Sequence, residues 1–369
     1  MAAYILRRLL LIIPTIIGIL TITFVILQFT PGGPIETIAA QLQGGGNGPL
    51  DRISGGGGDM GISAENVGAH TSSSQSIYRG AQGMDPAYIK KLEEKFGFDK
   101  PAWQRYLILL RDYSTFNFGN SFISDQPIID MIKKTLPVSV TLGLWLMLIS
   151  YAISIPLGIR KALKDGSAFD VWTSAVIIIG YSIPGFLFGV MLIVFFAGGS
   201  FFDWFPLRGL TSDNFDELSW GGKILDYLWH ITLPVAAMAI SAFATTTLLT
   251  KNCFLEEIRK QYVVTARAKG LSDRKVLYGH VFRNAMLVVI AGFPAAFISS
   301  FFTGSLLIEM LFSLDGMGLM SYTAVVNRDY PVVLGTLFIF SLLGLVVALV
   351  SDLVYMLVDP RIDFEKRDV

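Results

Sequence analysis

Cysteine is almost absent. Cys253 is the one thiol in 369 residues, so no intramolecular disulfide can form, and on a polar loop it reads as a bystander. Histidine is scarce too: His70, His230 and His280 lie far apart and show no metal-ligand spacing. No GxxxxGK[ST] phosphate loop occurs; Gly222-Lys223 is followed by Ile224, which excludes a nucleotide cradle of that kind. Charged residues make up only 16%, and the two signs cancel to a net charge of zero, which gives no case for nucleic acid. What fills the chain is apolar. At 53% hydrophobic residues and a mean hydropathy of +0.57, it is an integral membrane protein by composition and not a typical soluble domain.

The apolar residues fall into six runs, at 9–29, 138–159, 171–197, 231–249, 285–308 and 331–358. Each matches the roughly 20 residues that a helix needs to cross the hydrocarbon core. The first follows Arg7 and Arg8, is too long for a signal-peptide core and lacks a small-residue cleavage site, so it reads as an uncleaved span. A twin-arginine export signal is the competing reading. Pro14, Pro184, Pro234 and Pro294 should interrupt or bend their spans, and Pro31-Gly32-Gly33-Pro34 should end the first. The fold class is therefore all-α, with six transmembrane helices. Its expected divisions are an N-terminus and first helix (1–34), a non-membrane region (35–136) and a five-helix core (137–369) that carries a polar loop at 250–284.

Six spans put both ends on one side, and basic residues choose the side. The N-terminus, 160–170, 250–284 and the C-terminal tail hold sixteen Lys and Arg, against three in the short opposite loops 198–230 and 309–330. Both termini are expected in the cytoplasm, which places 35–136 on the extracytoplasmic face. Within that region eight of the fifteen residues from 44 to 58 are glycine and 71–76 is serine-rich, so 44–83 should form a flexible loop. Helices should resume at Pro86, with Tyr88, Leu92 and Phe96 on one face, and at 101–113, with Trp103, Tyr106, Leu107 and Leu110 on another.

Inside the spans, Ala237, Ser241 and Thr245 form one ridge of small residues, and Gly292, Ala296, Ser300 and Gly304 another. Such ridges let helices approach closely, either within the bundle or along a pathway shared with a partner subunit. One ionisable residue, Asp352, lies well inside a span, seven residues before Asp359 and so roughly 10 Å inward at about 1.5 Å per residue. It fits a structural hydrogen bond to a neighbouring loop or, alternatively, a coupling-ion site in an ion-driven secondary transporter. Glu309, at the end of the fifth span, is expected to be solvated or locally paired. The loop 201–215 carries Phe201, Phe202, Trp204, Phe205 and Phe215; these suit an interfacial aromatic belt or a contact for an external protein or substrate.

The most patterned polar stretch is 261–284. Phe254, Ile258, Tyr262 and Ala266 recur every four residues and share a helical face, with Arg259, Lys260, Arg267 and Lys269 largely off it. Gly270 suits a left-handed helix stop, and Ser272 could cap a second short helix that leads through Val276, Leu277, His280 and Val281 into the next span. On pattern alone this is either an ordinary basic loop or a docking surface.

Thr265-Ala266, three residues and then Gly270 resembles the EAA-type coupling loop of bacterial ABC importer permeases, although no glutamate precedes the Thr-Ala pair and Val288 stands where a proline often closes the motif. Other stretches resemble the dipeptide/oligopeptide-type permeases: YILRRLLLIIPTIIGILTITF with PGGP, FGFDKPAWQRYLILLRDYSTFNFGNSF, DGMGLMSYTAVVNRDYPVVLGT and SDLVYMLVDPRID. The 44–83 insertion, IPLGIRKALKDGSAFDVW and FPLRGLTSDNF look most like the Yej-type subgroup, whose members import peptides including microcin C.

The resemblance implies a type I importer permease in the inner membrane of a Gram-negative bacterium. It also implies a homologous second permease, two ATP-binding subunits that hold ATP and Mg, and a periplasmic solute-binding protein that delivers peptide. This chain would carry no cofactor and perform no hydrolysis. Arg259, Tyr262, Thr265, Ala266, Arg267, Lys269 and Gly270 become the expected ATPase-coupling contacts. Trp204, Phe205, Ser300 and Asp352 are the weaker candidates for the substrate pathway or the binding-protein contact.

Overall fold

The computed structural model describes residues 2–30, 33, 35, 86–199, 201–302 and 305–358. The glycine/serine-rich stretch 44–83, most of the PGGP stop, Gly304, Asp359 and the C-terminal tail lie outside the described residues, and of Ser300 only the backbone is described. Among the described residues there is no strand, only an isolated bridge between Asn120 and Pro127. The helices in chain order are α1 (Ala2–Phe29), α2 (Pro86–Phe96), α3 (Ala102–Ser114), α4 (Ile128–Leu163), α5 (Ala168–Ser182), α6 (Gly185–Phe196) and α7 (Trp220–Ile258). There follow α8 (Gln261–Ala268), α9 (Asp273–Val276), α10 (Phe282–Phe302), α11 (Ser305–Leu311), α12 (Met317–Val326) and α13 (Tyr330–Val358).

Among the described residues five stretches are helical, long and apolar enough to cross a membrane: Tyr4–Phe29, Ile128–Leu163, Trp220–Ile258, Asp273–Phe293 and Tyr330–Val354. The pair α5 and α6 makes a sixth, but not as the single run expected over 171–197, because its two halves meet at 93°. The break follows from Pro184. A proline has no amide to donate and its ring pushes the preceding residue out of the helical region, and Ile183 is extended at ψ 119°. By contrast α7 runs on as one helix through Pro234.

The chain divides into two compact units, one of Met1–Ile12, Lys133–Met320 and Phe340–Val369, the other of Ile13–Ile132 and Ser321–Ile339. In the first unit α6 lies directly on α7: a Cβ on Gly185 would sit 3.0 Å from the Ala237 carbonyl, and one on Gly189 3.3 Å from the Ala237 Cβ. Ala237 is thus the working member of its expected small-residue ridge, while Ser241 is half-buried and Thr245 exposed. A Cβ on Gly292 of α10 would meet nothing within 4 Å among the described residues, so the small size of that residue serves no close approach to them. One apolar cluster gathers Leu142, Leu146, Ile231, Val235, Ala239, Ile308 and Phe312. A second gathers Ile159, Ala162, Phe254, Val263, Ala266, Val276, Ala285 and Val289.

Glu309 departs from expectation. It is fully buried, and its carboxylate accepts hydrogen bonds from the Ser139 hydroxyl at 3.0 Å and the Leu319 amide at 2.7 Å. The second donor lies in the first turn of α12, where unpaired amides and the helix dipole favour an anion. A buried carboxylate needs such donors, which a solvated one would not.

In the second unit Tyr113 packs edge to face on both Phe118 and Phe338, with Tyr113–Phe118 centroids 5.0 Å apart, and Phe118 lies tilted against Phe338. Burial pushes the Tyr113 phenol well above its ordinary pKa. Asp329 accepts the Ser121 hydroxyl and the Phe122 amide, fixing the turn before α4. Leu92 and Phe96 of α2 are buried with Ile35, on the face expected of them, while the side chain of Tyr88 lies outside the described residues. The α3 face is narrower than expected: Trp103 and Leu107 are exposed, whereas the Tyr106 hydroxyl lies 2.6 Å from that of Thr21.

Candidate functional site

The polar stretch after α7 begins with a break that period counting did not show. Arg259 closes α7, and Lys260 is extended at ψ 150° before α8 starts. The break re-phases the chain, so the expected stripe of Phe254, Ile258, Tyr262 and Ala266 is not one continuous face. Phe254, Val263 and Ala266 are the deeply buried positions, and Ile258 and Tyr262 are half-buried beside them. The helix α8 ends in a Schellman motif: the Gly270 amide donates to the Arg267 carbonyl at 2.9 Å and the Leu271 amide to the Ala266 carbonyl at 3.4 Å. Gly270 has φ +82°, the left-handed stop expected of it. Ser272 holds the N-cap backbone position of α9, but its side chain makes no capping hydrogen bond. A five-residue π turn, Leu277–Val281, then carries the chain into α10, with Leu277 and Val281 buried and Tyr278 and His280 exposed.

Among the seven expected coupling residues, Thr265, Arg267, Lys269 and Gly270 are exposed along α8 and its stop. Thr265 donates to the Gln261 carbonyl at 3.0 Å, and Arg267 pairs with Asp273 at 3.1 Å. Ala266 faces the core and Tyr262 points inward, its hydroxyl donating to Glu257 at 2.7 Å. Lys260 pairs with the other Glu257 oxygen at 2.5 Å. Burial and then the Glu257 hydrogen bond raise the Tyr262 pKa, and the Glu257 hydrogen bond foremost raises that of Lys260. Arg259 is mostly exposed and reaches Asp165 at 3.7 Å. The outer face of α8 is therefore a small polar and basic ridge, held from behind by an apolar cluster and by Glu257.

Sequence reasoning missed the groups beneath this ridge. Lys161 at the end of α4 is fully buried, and Lys251 in α7 pairs with both Asp170 at 2.7 Å and Asp165 at 3.0 Å. The one available signal was lysines placed within a few residues of apolar runs.

The weaker candidates are dispersed. The Trp204 ring is largely exposed over Phe202, 4.6 Å between centroids, and its carbonyl accepts the Trp229 indole at 2.6 Å. Phe205 turns instead against the apolar cluster of α4 and α7, and Phe215 lies under the Lys223 ammonium. Asp352 accepts the Tyr4 hydroxyl and pairs with Arg8, each at 2.9 Å, so its partners come from the first helix and not from a loop. Among the described residues no group of three or more His, Cys, Asp or Glu side chains could hold a metal ion.

A helical chain with these spans and an amphipathic helix between two of them narrows the choice, and comparison decides it. Residues 154–364, more than half of the chain, match the family described as the binding-protein-dependent transport system inner membrane component. The chain belongs to this family. It is similar over its whole length to the peptidoglycan transport system permease protein YejB of Agrobacterium fabrum, with 67% identity over 369 residues and full coverage of both chains. The inner membrane ABC transporter permease protein YejB of Escherichia coli O157:H7 is 59% identical over 368 residues, again at full coverage. The dipeptide transport system permease protein DppB of Escherichia coli K12 is 31% identical over 382 residues, covering 99% of this chain and all of that one. The chain is thus a multi-pass inner-membrane permease subunit of an ABC importer, of the type I fold, and is not itself catalytic. An ion-coupled secondary transporter is not supported, since the family is a different one and Asp352 is engaged by Arg8 and Tyr4.

Proposed function

We propose that this permease forms half of the membrane pathway of an ATP-driven importer of peptides. The observation that carries the reading is full-length similarity to permeases named for peptidoglycan and dipeptide transport. The relative at 67% identity favours peptides derived from peptidoglycan, and oligopeptides of the microcin C kind fall in the same chemical class.

A homologous second permease completes the pathway, two ATP-binding subunits bind and hydrolyse ATP with Mg, and a periplasmic solute-binding protein delivers the substrate. The ATPases dock on 250–284, with Thr265, Arg267, Lys269 and Gly270 outermost and Arg259, Tyr262 and Ala266 supporting them. The excess of Lys and Arg on that loop, the termini and 160–170 puts all of them in the cytoplasm, so 35–136 is the periplasmic region and Trp204 and Phe205 face the same side. Closure of the ATPases rocks the two permeases between inward- and outward-open states as rigid bodies.

Reconstitution of the complex with its ATPases and binding protein into liposomes tests this. Accumulation of a labelled tripeptide of the peptidoglycan stem should require ATP and should survive a protonophore. ATP-independent uptake, or uptake abolished by the protonophore, would overturn the reading.

A further inference from the structure

The most unusual side chain in the first unit is Lys161. It is fully buried, and moving an ammonium out of water costs several kcal/mol unless its three donors are met. They are met entirely by the start of α5: the Asp170 carbonyl at 2.8 Å, the Thr173 hydroxyl at 2.7 Å and the Ser174 hydroxyl at 2.8 Å, with the Asp170 carboxylate 3.0 Å away. A cation at a helix N-terminus opposes the helix dipole, so the arrangement stands only because Asp170 supplies a negative charge in that same turn. Asp170 is itself buried, and its other oxygen accepts Lys251 at 2.7 Å and the Gly166 amide at 3.2 Å.

The network then runs outward. Lys251 also holds Asp165 at 3.0 Å, and Asp165 in turn reaches Arg259 at 3.7 Å, the residue that closes α7 and opens the polar loop. One chain of charges joins the end of α4, the α4–α5 turn, the start of α5 and the last turns of α7. Beside it there is no slack, since a Cβ on Gly158 would come within 2.7 Å of the Thr250 Cβ and 2.8 Å of the Thr247 carbonyl. The apolar cluster that holds Val263 and Ala266 also contains Ile159 and Ala162 of α4. Apolar contacts allow sliding. Ion pairs with fixed donors and acceptors do not.

A buried ion pair is weak evidence for stability, because apolar groups of the same shape often serve as well. Its distinctive property is directional geometry. We propose that Lys161, Asp170, Lys251 and Asp165 are positioning residues for transport, a latch that makes α4, α5 and the end of α7 move as one body when the loop at Arg259 is displaced. Displacement is thereby delivered through α5 to the 93° bend at Pro184 and to α6. This rests on the coupling role assigned above to 250–284, and it adds a route from that loop into the membrane helices.

The test uses the assembled complex with its ATPases in liposomes, with tripeptide uptake and ATP hydrolysis measured in parallel. Lys251→Met and Asp165→Asn lie near the rim of the network and are the primary variants; Asp170→Asn probes its centre. Tripeptide carried per ATP hydrolysed should fall about five- to tenfold, the low end of coupling between linked sites. Lys251→Arg, which keeps the charge, should recover most of that ratio. A role in stability alone would lower the amount of complex and reduce uptake and hydrolysis in proportion; that result, or a wild-type ratio in Lys251→Met, would overturn the latch.

A second readout does not depend on the substrate. With Cys253 replaced by serine, spin labels at Val171 on α5 and Glu256 on α7 should keep one unchanged separation on ATP binding. In Lys251→Met the separation should broaden or shift, and an unchanged distribution there would again overturn the proposal. A wild-type complex that takes up no tripeptide would count against the peptide reading, while the spin-label result would still decide the latch.

Discussion

Gly316 and the carboxylate of Glu309 exclude each other: a Cβ on Gly316 would fall on the Glu309 side chain, whose oxygens are already committed to Ser139 and to the first turn of α12. The Ser139 hydroxyl is itself shared, accepting the Met317 amide at 2.8 Å. A buried acid therefore joins α4, α11 and α12 at a point with no spare volume. Gly316→Ala should destabilise the protein by at least about 2 kcal/mol, since overpacking and a displaced charged hydrogen bond act together. Thermal unfolding in detergent measures it. A melting temperature equal to wild type would show that the carboxylate has somewhere else to go.

Asp352 separates structural from ion-coupling roles. Its pair with Arg8 is partly exposed, with side-chain exposures of 23% and 46%, so the ion pair contributes no more than about 1 kcal/mol. Asp352→Asn should leave ATP-driven uptake close to wild type and lower the melting temperature only slightly. Loss of uptake with normal assembly would return the residue to the pathway.

Gly270 distinguishes backbone strain from docking. Among the described residues nothing lies within 4 Å of a Cβ placed on it, so Gly270→Ala meets the strain of φ +82°, about 1 kcal/mol. That variant should insert and assemble. Gly270→Asp adds a larger acidic group beside Lys269 and should accumulate normally yet transmit ATPase closure poorly. Wild-type peptide uptake from the aspartate variant would remove the docking role from this turn.

Trp204 and Phe205, adjacent in sequence, should behave differently. Trp204 is 57% exposed, whereas Phe205 packs against the apolar cluster. Phe205→Ala should cost about 2 kcal/mol in stability, below the range for a fully buried phenylalanine. Trp204→Ala should spare stability and lower uptake from the binding protein. If uptake is unchanged, the tryptophan belongs to the membrane interface and not to a protein contact.

What the sequence determined by itself are properties written along one dimension. Runs of about 20 apolar residues specify spans wherever they fold, because a bilayer demands length and hydropathy before it demands partners. A glycine after an amphipathic stretch specifies a left-handed stop, because no other residue takes φ +82° as cheaply. The quoted stretches, in spans as well as in loops, sufficed for the family, since such a resemblance is read residue by residue. The tertiary structure alone decided what depends on distant segments meeting. Pro184 announced a break but not its 93° angle, which comes from α6 seating Gly185 and Gly189 on Ala237. The change of phase at Lys260 was invisible to period counting because one extended residue resets the helical face. Glu309 and Lys161 look like surface charges in sequence, and they are buried because Ser139, 170 residues earlier, and the first turns of α12 and α5 supply the hydrogen bonds that replace water.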